Sequence, residues 1–421
     1  MKIFKFGGAS VKDADGVKNL AKVLSSYSSE KLLVVVSAMG KTTNALERVT
    51  KAYYFKNDDA FAILQEVKNY HYEILNKLFA DKNHPIYDDI NNAFVEIEWA
   101  IEDAPTGSFD FEYDQIVSVG EILSTKIVAA YLSEIGVQTS LLDARDIIKT
   151  DNTYREGKIN WEQTEKLANK LIPELFTKNQ VIITQGFIGG TSENFTTTLG
   201  REGSDYTAAI LAWCLNAKDV TIWKDVAGVM NADPKWFDNT VVIDQISYND
   251  AIELAYYGAS VIHPKTIQPL QNKKIKLFVK SFINPDLKGT EISEWQNPLP
   301  ISSFIFKVNQ VLISIMPKDF SFIAEENLRD IFELFSSHRV KINVMQNTAI
   351  SFSVCVDDDE IRIPKLISDL QKSFKVLYNK NVELATIRHY NQETIERVSV
   401  DKEILLELKS RNTVQLVMKN K

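Results

Sequence analysis

The chain has 421 residues with a formal net charge of −8 and 45% hydrophobic residues, enough for two or three domains with ample cores. With no long basic run, that balance argues against nucleic acid or an anionic membrane as the main partner, while small anionic substrates need only a local positive pocket. Two distant cysteines, Cys214 and Cys355, argue against a disulfide scaffold or structural zinc, and the absence of a leader or of an apolar stretch long enough to span a bilayer points to a cytoplasmic protein.

The chain begins with a short apolar strand, Ile3–Phe6, that runs into Gly7-Gly8. A helix follows with Val17, Leu20, Ala21 and Leu24 on one stripe. Leu32–Val36 reads as a strand covered on both faces. Long helices are expected from about Ala45 to Ala104, then a helix over Glu121–Ile135 and strands near Ser140–Leu142 and Val181–Thr184. Phe187–Thr198 reads as a hairpin around Gly189-Gly190, followed by a helix to Leu215 and a strand at Val220–Trp223. This is an α/β fold with a mainly parallel sheet sandwiched by helices.

No glycine follows Gly289, and two prolines interrupt the chain at Trp295-Gln-Asn-Pro-Leu-Pro300. We expect the domain break there, with one domain over residues 1–296 and a second over 297–421. The second has strands at Val311–Met316, Ile342–Met345, Ile350–Val356 and Lys375–Tyr378, with helices at Asn327–Ser337 and around Ile363–Leu370. That order is a ferredoxin-like βαββαβ unit at about 309–379. A strand at Glu383–His389 opens a second, abbreviated unit that ends with a strand at Val414–Val417.

Five clusters in the first region can carry chemistry, and ligands of parallel sheets bind at the carboxyl ends of strands. Lys5-Phe-Gly-Gly-Ala-Ser10 offers a point charge and open N–H groups for phosphate, although it equally describes a tight strand–helix turn. Ser37-Ala-Met-Gly-Lys-Thr-Thr-Asn44 is a hydroxyl-rich loop suited to a small polar ligand, or an ordinary polar loop. Glu121 stands at a helix start, where a carboxylate is favoured in any case. Thr198-Leu-Gly-Arg-Glu-Gly-Ser-Asp-Tyr-Thr-Ala208 combines two glycines, Arg201 and Asp205, with Ser204 as the expected N-cap. Trp223-Lys-Asp-Val-Ala-Gly-Val-Met-Asn-Ala-Asp-Pro-Lys235 places Lys224, Asp225, Met230 and Lys235 on one loop. The five histidines show no metal spacing, so no protein-bound metal is expected; His263, before Pro264, reads as structural.

Together with Leu142-Asp-Ala-Arg145, Thr150-Asp151, Gln185-Gly-Phe187 and Tyr257-Gly-Ala-Ser-Val-Ile-His-Pro264, these clusters resemble the aspartokinases of the amino-acid kinase family. The glycine-free region resembles their ACT regulatory domains. The resemblance implies a phosphotransferase that uses ATP, with Mg²⁺, to convert L-aspartate to 4-phospho-L-aspartate, the first step towards lysine, threonine and methionine. It implies phosphate contacts for Lys5, Gly7, Gly8 and Ser10, and substrate contacts for Ser37, Thr43, Glu121, Arg201 and Ser204. Asp205 would orient the catalytic lysine. Lys224, Asp225, Met230, Lys235 and Ser260 would frame the nucleotide, while Glu202 would be a solvated side chain.

The chain departs from the family pattern at Ala9, Lys224, Met230, Lys235 and Ser260, where threonine, threonine, tyrosine, arginine and lysine are common. Asn343 replaces an effector-binding aspartate, and Asp319 with Met316, Ser321, Phe322 and Thr348 is the expected substitute pocket for lysine, or secondarily threonine. A homodimer or homotetramer is implied by the ACT region. A non-catalytic amino-acid sensor on the same fold is the competing reading. A fused dehydrogenase is excluded by the lack of a downstream glycine fingerprint.

Overall fold

The computed structural model describes residues 1–259, 262–295, 301–319 and 321–421. Two compact units emerge. The first comprises Met1–Val229, Val242–Ile252 and the described residues of Val261–Pro298; the second comprises Met230–Val241 and the described residues of Glu253–Ser260 and Leu299–Lys421. The break expected at Trp295–Pro300 lies largely outside the described residues.

In the first unit the chain runs β1 (Lys2–Phe6), α1 (Ala14–Ser25), β2 (Leu32–Val36), α2 (Thr42–Phe55), α3 (Ala60–Leu78), α4 (Ile86–Glu102), α5 (Phe109–Val117), α6 (Val119–Glu134), β3 (Thr139–Leu142) and α7 (Ala144–Ile147). It continues through α8 (Trp161–Leu175), β4 (Val181–Gln185), β5 (Ile188–Gly190), β6 (Thr196–Thr198), α9 (Gly203–Leu215), β7 (Asp219–Lys224), β8 (Gln245–Ser247), α10 (Tyr248–Tyr257, of which the residues from Glu253 on belong to the second unit), α11 (Pro264–Asn272), β9 (Lys276–Ser281) and β10 (Thr290–Ser293). Eight strands form one sheet in the order β3-β4-β2-β1-β7-β9-β10-β8, parallel from β3 to β9. β10 runs antiparallel to β9.

β2 is buried along its whole length, as its unbroken Leu/Val run requires when helices cover both faces. β1 lies between β2 and β7. The order therefore reverses on either side of β1, and such a switch point opens a crevice at the strand ends. Alternation along β1 sends Phe4 and Phe6 to one face and Lys5 to the other. Phe6 stacks on Trp223 of β7 with centroids 6.0 Å apart, and Phe4 meets Trp223 edge-on at 5.6 Å. This aromatic layer fixes the two strands that carry Lys5 and Lys224.

Residues 109–134 are long and apolar enough to cross a membrane by length and composition alone, contrary to the expectation from sequence. The stretch is mostly buried, because α6 packs core side chains on nearly every face. The Phe187–Thr198 hairpin forms, but Gly189 and Gly190 lie in β5. A Cβ at Gly190 would stand 2.8 Å from the Arg145 carbonyl oxygen, so close backbone approach, not the turn, accounts for that glycine.

The second unit holds β11 (Ser303–Pro317), α12 (Glu325–Ser337), β12 (Ile342–Asn347), β13 (Phe352–Asp357), α13 (Arg362–Ser373), β14 (Phe374–Arg388), α14 (Gln392–Ser399), β15 (Lys402–Lys409) and β16 (Thr413–Asn420). Its antiparallel sheet has the order β12-β13-β11-β14-β16-β15. The strands expected at Lys375–Tyr378 and Glu383–His389 are one 15-residue strand, β14, and β11 begins before the expected Val311. These long strands pair along their length, with register shifts at Lys307–Leu312. The strands of the expected second unit are therefore not confined to its C-terminal side: Ser303–Lys307, which precedes the first unit, pairs with Leu384–Arg388. Phe304 joins Ala232, Ile387, Ile395 and Leu416 in one core.

Candidate active site

Above the carboxyl ends of β1 and β7 lies a cleft of about 870 Å³. It gathers residues from six separated stretches of the chain, within 5–10, 37–43, 110–121, 153–156, 187–205 and 223–225. At its floor β1 delivers Lys5, and Gly7-Gly8 lead into a short 3₁₀ turn, Gly8–Val11. Gly8 is required by packing, since a Cβ there would stand 2.6 Å from the Ala38 carbonyl oxygen and 2.9 Å from that of Gly40. The two loops are further tied by Gly40 N to Gly8 O at 3.0 Å and Ser37 N to Phe6 O at 3.0 Å.

The second loop presents Ser37 and Thr43 to the cleft. Thr42 turns its hydroxyl back onto the Met39 carbonyl at 2.6 Å and starts α2. Below it, α6 places Glu121 in the wall of the cleft with 3% exposure. Among the described residues its Oε2 has no hydrogen-bond partner. Burial raises the carboxyl to about 8, against the opposing pull of the Ala38 N–H and Lys5. A buried carboxyl with one oxygen left without a partner is poised to ionise when a cation arrives.

The Gly200–Asp205 segment differs in detail from expectation. α9 starts at Gly203, so Ser204 lies inside its first turn and the cap position is Glu202, in the left-handed region at φ 55°. Glu202 is half-buried, not solvated; its Oε2 accepts the His263 N–H at 2.8 Å. Phe187 packs so closely on Gly203 that no side chain fits there. His263 itself caps α11 by accepting from Lys265 N. Arg201 is exposed at the edge of the cleft and Ser204 is buried within its lining.

Asp205 joins two lysines, Lys5 and Lys224. Its Oδ1 is 2.6 Å from Lys5 Nζ and its Oδ2 is 3.8 Å from Lys224 Nζ. Burial alone would raise this carboxyl; Lys5 and Lys224 together outweigh it and hold the group below the ordinary carboxylate range. Ser10 reaches the same corner, donating to the Trp223 carbonyl at 3.4 Å, and Asp225 completes the lining. Amide-rich turns and two lysines around one anchored carboxylate form a receptacle for a polyanion.

Of the remaining expected nucleotide residues, Met230 and Lys235 fall in the second compact unit, and Ser260 lies outside the described residues. Sequence reasoning missed the wall formed by Asp110, Tyr113 and the turn Thr153–Glu156. Asp114 anchors this wall: its carboxylate accepts from Arg155 N, Thr198 N and Thr198 Oγ1 at 2.7–2.9 Å, contacts that nothing local in the sequence signals. Among the described residues no cluster of three His, Cys, Asp or Glu side chains could hold a metal.

The expected effector residues separate into two groups. Met316 pairs with Lys375 one residue before the end of β11. Asp319, Ser321, Phe322 and Thr348 are exposed, and the loop after Phe322 joins the turn after Thr348 through Ile323 N to Ala349 O. Hydrogen bonds from Ser321 hold the Asp319 carboxyl below its usual range. Asn343, near the other end of β12, is engaged by Lys307, Gln310 and Asp357 at 2.8–2.9 Å.

Three comparisons bear on this architecture. The amino acid kinase family model matches residues 1–281. The lysine-sensitive aspartokinase 3 of Escherichia coli (strain K12) is 32% identical over 363 residues, 84% of this chain and 78% of that one. The crystal structure of E. coli aspartokinase III with aspartate and ADP (R-state) superposes with a TM-score of 0.82 at 26% identity, covering 99% of this chain and 96% of that one. The same enzyme with lysine and aspartate (T-state) gives 0.83 at 27% identity, covering 99% and 95%.

Proposed function

Because this chain belongs to the amino acid kinase family, and within it to the aspartokinases, we propose that it transfers the γ-phosphoryl group of MgATP to the β-carboxylate of L-aspartate. The observation that carries this reading is the pairing, in one cleft, of the buried Glu121 carboxyl, whose Oε2 has no partner among the described residues, with the Lys5–Asp205–Lys224 cluster. The first suits an α-ammonium; the second suits phosphates.

The nucleophile is already ionised at neutral pH, so no general base is required. The difficulty is to bring two anions together. Lys5 and the Gly7–Ala9 amides stabilise charge on the transferring phosphoryl group, and Lys224 adds a second cation beside them. Asp205 keeps both lysines aimed. Glu121 takes the ammonium and Arg201 grips the α-carboxylate through paired hydrogen bonds. Ser37, Thr43 and Ser204 supply further hydroxyls to the aspartate. A β-carboxylate oxygen then attacks phosphorus in line as the bond to ADP breaks, giving an acyl phosphate. Mg²⁺ enters on the phosphates of ATP as part of the substrate, and Asp225 is placed to meet the nucleotide side.

The second unit is assigned to regulation by an end-product amino acid, lysine first and threonine second, with assembly into a homodimer or homotetramer. The E. coli enzyme crystallised with lysine supports that choice of effector.

A hydroxamate assay with ATP, Mg²⁺ and a panel of amino acids tests the reaction. Product with aspartate and not with glutamate or alanine is expected. Binding of aspartate without product from any amino acid would instead establish a sensor.

A further inference from the structure

We propose that Arg155 is a second carboxylate-recognising cation at the amino-acid end of the cleft, held against Asp110 until substrate arrives. The inference rests on the aspartate reading of the cleft and deepens it.

Arg155 has a left-handed backbone, φ 66°, uncommon for a residue with a side chain and maintained only where the surroundings impose it. The imposition is visible. Its N–H donates to Asp114 Oδ2 at 2.8 Å, and the same carboxylate binds Thr198 N at 2.9 Å and Thr198 Oγ1 at 2.7 Å. The turn carrying Arg155 is thereby fastened to the strand that leads into Gly200 and Arg201. A Cβ on Gly200 would lie 3.3 Å from the Arg155 carbonyl oxygen. Two arginines are thus presented from adjacent backbone in the wall of one cleft.

The guanidinium carbon lies 4.4 Å from the centroid of the Tyr113 ring and 5.8 Å from that of Phe109. Nη1 is 3.3 Å from Asp110 Oδ1, with both side chains partly open to solvent. A guanidinium held beside an aromatic ring keeps much of its five-donor fork available at its edge. A carboxylate has about four lone-pair positions, more than one bidentate arginine occupies. Arg155 supplies the second cation to the α-carboxylate that Arg201 holds, and Asp110 is the anion the substrate displaces.

Opposite charge changes must then act in opposite directions. Arg155→Met keeps an apolar stem over Tyr113 and removes the charge; Arg155→Lys retains it. In the full-length chain we expect Arg155→Met to raise the KM for aspartate about tenfold, the scale of one charge-assisted contact. The KM for ATP should stay close to wild type, and Arg155→Lys should recover part of the loss. Asp110→Asn should lower the KM for aspartate, and both shifts should shrink as salt is raised. An unchanged KM in Arg155→Met, or a raised one in Asp110→Asn, overturns the proposal; if Arg155→Met does not fold, Asp110→Asn and Arg155→Lys decide it. Wild-type protein that makes no aspartyl phosphate would defeat the functional reading, a separate outcome.

Discussion

Lys5 Nζ stands 2.6 Å from Asp205 Oδ1, joining the end of a central strand to the first turn of a helix 200 positions later in the sequence. Both side chains are nearly closed to solvent, and Lys224 approaches the other oxygen of the same carboxylate. The negative charge holds two cations close together before any phosphate is bound.

Asp205→Asn should therefore lose activity without emptying the cleft. The amide preserves shape but leaves two lysines to repel each other, and Lys5 loses its fixed direction. We expect kcat to fall by about 10², the usual cost of misplacing one charge-stabilising donor. Stability should also drop, since removing one member of a buried ionic cluster leaves unbalanced charge. Steady-state kinetics and denaturant titration of the same preparation check both effects.

Glu121 gives a pH signature. Its carboxyl is raised to about 8 by burial, so the ligand-free cleft holds it mostly protonated at neutral pH. An ammonium ion favours the ionised form, so aspartate binding at pH 7 should release a proton. Calorimetry in buffers of different ionisation enthalpy detects that release, and equal apparent enthalpies would count against it. For stability the sign is the reverse of a salt-bridged acid: a raised folded value means the contribution is full below about 4.5 and is lost as pH rises through about 8. Glu121→Gln should flatten this part of the ligand-free stability profile while raising the KM for aspartate.

Lys224 tests the nucleotide side. It is 3.8 Å from Asp205 and lines the same corner as Ser10 and Asp225. Lys224→Ala should raise the KM for ATP several-fold with little change in the KM for aspartate. An unchanged ATP response in initial-rate measurements would remove Lys224 from phosphate binding.

The parallel sheet was legible because β1, β2, β4 and β7 are short apolar runs bounded by glycine or polar turns. The cleft was legible where a charged or hydroxyl residue interrupts or closes such a run, as at Lys5, Ser37 and Lys224. Elsewhere long-range contact decided the outcome. Nothing local to Glu202 shows that the His263 amide will fix its side chain. The turn at Arg155 is read only through Asp114, some forty positions earlier. Ser303–Lys307 carries no local sign of being a strand, because its partner, Leu384–Arg388, comes after an intervening unit. Periodicity reports which face is buried, not which distant strand covers it.

Asp114 sets two effects against each other, and pH decides between them. Three donors favour its ionised form, yet burial is the larger influence and raises it to about 6. A folded value above the unfolded one means its stabilising contribution is complete below about 3.8 and is lost as pH rises through 6, an effect of about 3 kcal/mol at most. Asn cannot titrate, and its amide nitrogen would face N–H donors. Asp114→Asn should therefore be less stable than wild type, by about 1–3 kcal/mol for one unsatisfied group, with the gap widest near pH 4 and narrowing towards pH 7. Urea unfolding at several pH values measures this gap. A gap that instead widens with pH would mean that the donors from Arg155 and Thr198 outweigh burial. Whichever sign emerges, loosening the Arg155 turn from Thr198 should raise the KM for aspartate more than that for ATP.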